Sequence, residues 1–175
     1  MLSLDIASAF NNASHPRLLH ILQRLGIPKW IVQWTASFLS DRTSTLILNH
    51  DSSEVFTVRN GIPQGSLVSP ILFLFYNEEL IRKCNTIGEQ ACGIGFVDDV
   101  NLLVWGESTA ANCSLLTRIH RRCEEWARRH GAKFAPQKYE LMHLSRNPKQ
   151  FDMSACLQLT DLRLHPKTEI RILGL

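Results

Sequence analysis

Phe96-Val97-Asp98-Asp99 sets two adjacent carboxylates between apolar segments. Two like charges at a hairpin tip repel each other and lose hydration, a cost that a divalent cation or a basic partner offsets. The same pair is also ordinary solvated turn chemistry. Three further segments carry chemistry-bearing residues. Asp5 ends a short apolar stretch and is followed by small residues, Ala7-Ser8-Ala9, that let a ligand come close; a lone Asp there also serves as a cap or turn residue. In Gly61-Ile62-Pro63-Gln64-Gly65-Ser66-Leu67-Val68-Ser69-Pro70, two glycines and two prolines fix a backbone that a planar partner can approach. The N–H groups of Gly65 and Ser66, near a helix start, can face phosphate or sugar. A rigid loop with Ser69 as cap is the plainer reading. Gly131-Ala132-Lys133-Phe134-Ala135-Pro136-Gln137-Lys138-Tyr139 places two lysines beside a turn, where exposed lysines are commonly just solvated.

These residues need elements to hold them. Residues 2–6 read as a short strand ending near Asp5. A helix follows with Ser14 as N-cap, Leu18, Leu22 and Leu25 on one face and Gly26 as terminator. Pro28 starts a second helix, with Ile31, Trp34 and Phe38 on its buried stripe. Residues 43–48 and 54–59 read as hairpin arms around His50-Asp51-Ser52-Ser53. The glycine-proline segment 60–70 leads into an apolar helix over about 71–83. Ala91–Phe96 and residues 100–105 form a second hairpin with the two acids at its tip and both arms buried. Ser108 or Thr109 caps the longest helix. It turns Leu115, Leu116, Ile119, Cys123 and Trp126 inward and Arg118, Arg121, Arg122, Arg128 and Arg129 outward, until Gly131 stops it. Strands near 139–144, 157–164 and 170–173 complete the chain. Without a steady β-α-β rhythm, the pattern predicts an α+β fold, an antiparallel sheet with helices packed on one face.

Composition bounds the class. The 175 residues, 45% hydrophobic and 20% charged, suit one domain with a sizeable core. The net charge of +3 permits a polyanionic partner without demanding one. The 5 cysteines, at 84, 92, 113, 123 and 156, have no C-x-x-C spacing, which argues for reduced thiols and against structural zinc. No apolar stretch approaches the roughly 18 residues of a membrane helix, and the start lacks the order of a signal peptide.

The order and spacing of the segments resemble the palm of a reverse transcriptase of the non-LTR retrotransposon type. Leu4-Asp5-Ile6-Ala7-Ser8-Ala9-Phe10 resembles the family's first palm motif, residues 61–70 its glycine-proline-glutamine motif and Phe96-Val97-Asp98-Asp99 its aromatic-x-Asp-Asp motif. Residues 131–139 resemble the lysine-bearing fourth motif, and Ile172-Leu173-Gly174-Leu175 the start of the primer grip. Leu39-Ser40-Asp41-Arg42 matches the family's habit before its first hairpin. The resemblance spans nearly the whole chain.

The resemblance implies an RNA-directed DNA polymerase that uses two magnesium ions, or manganese, to join a dNTP to a DNA primer on an RNA template. It makes Asp5 and Asp98 the principal metal ligands, with Asp99 assisting and the carbonyl of Ile6 as a further donor. Phe10 takes the place of the aromatic that screens the sugar 2' position; a plain core aromatic is the other reading. Gln64 and Gly65 line the nucleotide pocket, Lys138 assists the departing pyrophosphate, with Lys133 as its competitor in the same segment, and Arg42 and Gly174 contact template or primer. Asn11 departs from the family, which carries Asp after the Ala-Phe pair. The resemblance covers the palm and leaves fingers and thumb largely outside these residues. The alternative is therefore a truncated, non-catalytic remnant that at most binds nucleic acid. Retrotransposon relatives place such a protein in the nucleus, intron-encoded relatives in mitochondria.

Overall fold

Leu2-Ser3-Leu4-Asp5 alternates apolar and polar residues, which in an extended chain points Leu2 and Leu4 to one side and Ser3 and Asp5 to the other. In the computed structural model, which describes residues 1–49, 51–85 and 90–171, this stretch is a strand at the centre of a sheet. The elements are, in order, β1 (Leu2–Asp5), α1 (Ala9–Asn12), α2 (His15–Arg24), α3 (Lys29–Leu39), β2 (Thr43–Ser44), β3 (Ile47–Leu48), β4 (Asp51–Ser52), β5 (Phe56–Thr57), α4 (Ser69–Asn85), β6 (Ala91–Phe96), β7 (Asp99–Val104), α5 (Thr109–His130), β8 (Glu140–Leu141), β9 (Leu157–Gln158) and β10 (Arg163–Leu164). Short 3-10 turns at Pro136–Lys138 and Pro148–Gln150 flank β8. Among the described residues no helix is long and apolar enough to cross a membrane.

Contacts gather into two compact units, Met1–Ala9 with the chain from Asn77 onward, and Phe10–Tyr76. One domain is what the sequence suggests. The division arises because β1 pairs with β7 and β8, strands from far along the chain, and the helices between them build a core of their own.

The first unit holds an antiparallel sheet in the order β6-β7-β1-β8. Leu2, Leu4, Val100 and Leu102 are fully buried on one face, each contributing about 1.5–3 kcal/mol. On that face β6 carries Gly93 and Gly95, where an added Cβ would meet Cys84 Cβ at 2.6 Å and Ile81 Cδ1 at 2.7 Å. The glycines let the end of α4 lie directly on the strand. Helix α5 joins it there, with the Cys84 and Cys123 thiols 3.7 Å apart. The expected mixture of helices and antiparallel sheet is therefore present. The opposite face carries Ser3, Asp5, Asp99 and Asn101 and the exposed Ile94 and Phe96. The arms are thus not both buried as the sequence suggests, because β6 is an edge strand covered on one side only.

Helix α5 follows the expected pattern. Ser108 accepts a bond from Ala111 N–H at 3.1 Å, Gly131 closes the helix at φ 67°, and the five expected residues are buried with all five arginines exposed. In place of a strand over 139–144 only β8 forms, and the stretch 157–164 is the hairpin β9–β10. Ile170 and Arg171 belong to no strand, and residues 172–175 lie outside those described, as does His50.

The second unit packs α2 and α3 around Leu18, Ile21, Leu22, Val32 and Leu39. Leu25, expected inside, sits at the end of α2 and is exposed. On α3 the inward stripe is Val32, Thr35 and Leu39, whereas Trp34 faces out. The predicted hairpin exists as two short ladders, β2–β5 and β3–β4. Their registers differ by one residue, which leaves Ser53 to bond Leu46 through both its amide and its hydroxyl.

Candidate active site

Asp5 closes β1 and Asp99 opens β7, and the register makes them direct partners across the ladder. Opposed residues in an antiparallel pair project to the same face, and like charges there destabilise it. Asp98 precedes them in the hairpin turn, its carbonyl accepting from Ile6 N–H at 3.0 Å. The ladder therefore brings Asp5 to the adjacent pair Asp98-Asp99, far along the chain, at one end of the two central strands. Burial first, then the charges of Asp98 and Asp5, hold the Asp99 carboxyl above the usual carboxylate range, while Lys138 pulls it the other way.

The turn itself is strained. Val97, a β-branched residue, adopts φ 53°, a conformation costing about 1–3 kcal/mol that persists only where the surroundings enforce it. Asn77 supplies part of that enforcement: buried on α4, it donates to the Val97 carbonyl at 3.1 Å. Sequence reading missed Asn77, though a single amide after the apolar run Ile71-Leu72-Phe73-Leu74-Phe75-Tyr76 was a usable signal.

Lys138 reaches the site from the other side of β1. Ala135 N–H donates to the Asp5 carbonyl at 2.9 Å and Ala7 N–H to the Lys133 carbonyl at 2.8 Å, stitching the segment to the strand end. The 3-10 turn then brings Lys138 Nζ to 3.1 Å from both oxygens of Asp5. Lys133, the competing lysine, contributes its backbone carbonyl instead. With Lys138 61% exposed, the ion pair is worth only about 0–1 kcal/mol and is readily exchanged. The stitching bonds engage the Asp5 carbonyl and the Ala7 amide, not the carbonyl of Ile6.

Tyr139 anchors the same segment from behind. Its hydroxyl lies 3.1 Å from His120 Nε2 and the rings meet edge to face at 5.4 Å. Burial brings His120 down to about 4, and burial, with the charge of Glu124, pushes the Tyr139 hydroxyl well up. The pair borders a groove of about 910 Å³ between α5, the 3-10 turn and the β9–β10 loop. Sequence reading missed His120 as well.

In the second unit the glycine-proline loop is held by side chains. The Gly61 carbonyl takes Arg42 Nη1 at 2.8 Å and lies 2.7 Å from His15 Nε2. Gly61 N–H donates to Ala13 and Ile62 N–H to the Phe10 carbonyl, at 2.8 and 2.7 Å. The Ser69 hydroxyl closes the loop onto the Pro63 carbonyl. Gln64 Nε2 donates to Asn11 Oδ1 at 3.3 Å, so the residue that departs from the family pattern holds the glutamine. Phe10 is half-buried with its ring 5.4 Å from that of Phe73, and Gly65 sits at φ 86° with open space around it. Phe10, Asn11 and Gln64 are thus brought together, and Arg42 is turned onto the loop as its anchor. Gly174 lies outside the described residues.

Among the described residues no three carboxylate, imidazole or thiol groups are gathered closely enough to cage an ion. The donors present still suit a hard divalent ion, whose other positions water or phosphate oxygens complete. Burial first, and then the charges of Asp98 and Asp5, make the ionised Asp99 costly, a cost that a divalent ion would offset.

The family model described as reverse transcriptase (RNA-dependent DNA polymerase) matches residues 1–175. The chain is 29% identical over 111 residues to a retrovirus-related Pol polyprotein from the type-1 retrotransposable element R2 of Popillia japonica, covering 59% of this chain and 18% of that protein. It is 28% identical over 127 residues to the RNA-directed DNA polymerase from the mobile element jockey of Drosophila melanogaster, covering 71% of this chain and 14% of that protein. The chain thus spans less than a fifth of either relative. Among solved structures, telomerase from Candida albicans, in complex with a fragment of telomeric RNA, superposes with a TM-score of 0.60 at 13% identity, over 94% of this chain and 30% of that one. That likeness is one of fold.

Proposed function

Because this chain belongs to the reverse transcriptase (RNA-dependent DNA polymerase) family, on its non-LTR retrotransposon branch, we propose that its carboxylate site performs the nucleotidyl transfer of an RNA-directed DNA polymerase. The observation that carries this reading is the register Asp5↔Asp99, with Asp98 beside it and Lys138 on Asp5. A ladder fixes its carboxylates before any ligand arrives, so little reorganisation is left for the reaction.

Asp5, Asp98 and Asp99 would hold divalent ions, with the Ile6 carbonyl as a further donor. Magnesium bound there would lower the pKa of a primer 3'-hydroxyl and neutralise charge on the phosphates. Lys138, on an exposed and weakly held pair, is free to move its charge from Asp5 toward a departing pyrophosphate. In the second unit Gln64 and Gly65 would line the nucleotide pocket, with Phe10 beside them excluding a 2'-hydroxyl. An RNA template, a DNA primer and dNTPs are the partners this reading requires.

Primer extension on an RNA template with magnesium tests it. The chain, alone or supplied with the segments that its longer relatives carry, should extend the primer. Asp98→Ala with Asp99→Ala should lower the rate by at least about a thousandfold, since the electrostatic stabilisation of the transition state is removed. Equal null results from both forms of the isolated chain would sink autonomous polymerase function and leave the reading of a remnant that binds nucleic acid.

A further inference from the structure

Helix α4 lies along β6 in matched steps. Cys84, Ile81 and Asn77 follow one face of the helix, and Gly93, Gly95 and Val97 are every second residue of the chain that this face crosses. A Cβ on Gly93 would meet Cys84, and one on Gly95 would meet Ile81 Cγ1 at 2.9 Å and come within 4.0 Å of Asn77 Nδ2. One helical turn rises about 5.4 Å and two extended residues about 6.7 Å, so the register holds as far as the hairpin turn. Amides fasten both ends. Asn85 Oδ1 accepts from Gly93 N–H at 2.5 Å, and Asn77 Nδ2 donates to the Val97 carbonyl at 3.1 Å.

Asn77 is a costly residue for its place. It is 3% exposed, and among the described residues its Oδ1 has no hydrogen-bond partner. A leucine of similar size carries no such desolvation cost, so what the amide adds is the single bond from Nδ2. That bond falls on the strained residue. Val97 at φ 53° holds a conformation that a β-branched side chain resists. With its carbonyl fixed toward α4, the next residue, Asp98, gives its own carbonyl to Ile6 N–H at 3.0 Å, one residue beyond Asp5. The sequence of contacts Asn77, Val97, Asp98, Ile6 thereby links a buried helix face to the spacing of the carboxylates.

We propose that Asn77 is a positioning residue for the carboxylate site: its hydrogen bond to the Val97 carbonyl holds the turn in the left-handed form that sets Asp98-Asp99 against Asp5. The inference rests on the polymerase reading only for its effect on catalysis. The hold on the turn is measured without any reaction.

Amide hydrogen exchange of the 175-residue chain is the test. The Ile6 amide reports the turn end of the hairpin, and the Trp105 amide, bonded to the Gln90 carbonyl at 3.2 Å, reports the other end. Asn77→Leu should speed exchange at Ile6 at least tenfold and leave Trp105 within twofold of the parent. Adding Val97→Gly should bring Ile6 back to within threefold, because glycine adopts φ 53° without being held there. Should the leucine variant not fold, Asn77→Ala removes the same donor and should give the same pattern. In primer extension, Asn77→Leu should lower kcat at least tenfold and leave KM for the dNTP within twofold. The proposal is overturned if Ile6 exchanges within twofold of the parent, if Ile6 and Trp105 accelerate alike, if Val97→Gly gives no rescue, or if an active parent keeps its kcat. A parent chain that extends no primer counts against the polymerase reading alone; the exchange rates still decide whether Asn77 positions the turn.

Discussion

The carboxylate site and the glycine-proline loop are both rigid, and they are made rigid in different ways. Asp5 and Asp99 are fixed by a backbone ladder that any alternating sequence could form, and the side chains merely follow the pleat. The loop has no ladder. Its shape depends on side chains aimed at carbonyls, Arg42 and His15 at Gly61 and Ser69 at Pro63, and on a glycine where no other residue fits. A site built on a ladder tolerates change around it, whereas a site built on individual bonds weakens with each one removed. Lys138 is the mixed case. It belongs to the carboxylate site but rides on a turn anchored by the Tyr139–His120 bond.

Gly61 is where the contrast breaks most sharply. It sits at φ 86°, and a Cβ there would meet the Asn11 carbonyl oxygen at 2.7 Å and Asn11 Cα at 3.0 Å, backbone atoms that cannot swing aside. Gly61→Ala should cost about 4 kcal/mol, combining left-handed strain with overpacking. Gly65→Ala, at the same φ with nothing near the added methyl, isolates the strain and should cost about 1 kcal/mol. Urea denaturation of both variants measures the difference. Equal losses would mean that the close approach at Gly61 contributes nothing.

His120 tests the mixed case. Its neutral form is favoured in the folded state, at about 4 against 6.5 when unfolded. As pH falls below 6.5 the unfolded chain takes up a proton that the folded chain refuses, so stability declines until about pH 4 and then levels. At roughly 1.4 kcal/mol per unit the loss reaches up to about 3 kcal/mol, reduced by Glu124, whose Oε1 lies 3.5 Å from Nε2 and would greet a protonated ring. His120→Gln should flatten this part of the stability curve between pH 6.5 and 4. A curve unchanged by the substitution would show that the anchor of the Lys138 turn does not titrate in this window.

The same contrast explains what the sequence could disclose. The ladder site was legible because Leu2-Ser3-Leu4-Asp5 and the apolar arms around Asp98-Asp99 carry their geometry in their periodicity. Periodicity failed on α3, where Ile31, Trp34 and Phe38 satisfy helical spacing as well as Val32, Thr35 and Leu39 do, and only packing chooses between two apolar stripes. His120 was readable in principle, since it lies four residues after Leu116 on the buried stripe of α5, but a polar residue there is invisible to a search for apolar ones. The loop's anchors were not readable. Nothing local to Arg42 or His15 announces that both will converge on one carbonyl many residues away.

That convergence gives the smallest effect and the finest test of the contrast. Arg42→Ala removes one charged donor from the Gly61 carbonyl, which keeps the contact with His15, so the loss should be only about 1 kcal/mol. His15→Ala leaves Arg42 in place and should cost a similar amount. The double variant strips the carbonyl of both partners, and an acceptor left unsatisfied in a half-buried place carries the desolvation cost that neither single change exposes. The two losses should therefore exceed additivity, by about 0.5–1 kcal/mol in a double-mutant cycle. Strict additivity would mean that water replaces both donors freely, and the loop would then be held by Gly61 and its backbone bonds to Ala13 and Phe10, as a ladder is, rather than by its side chains.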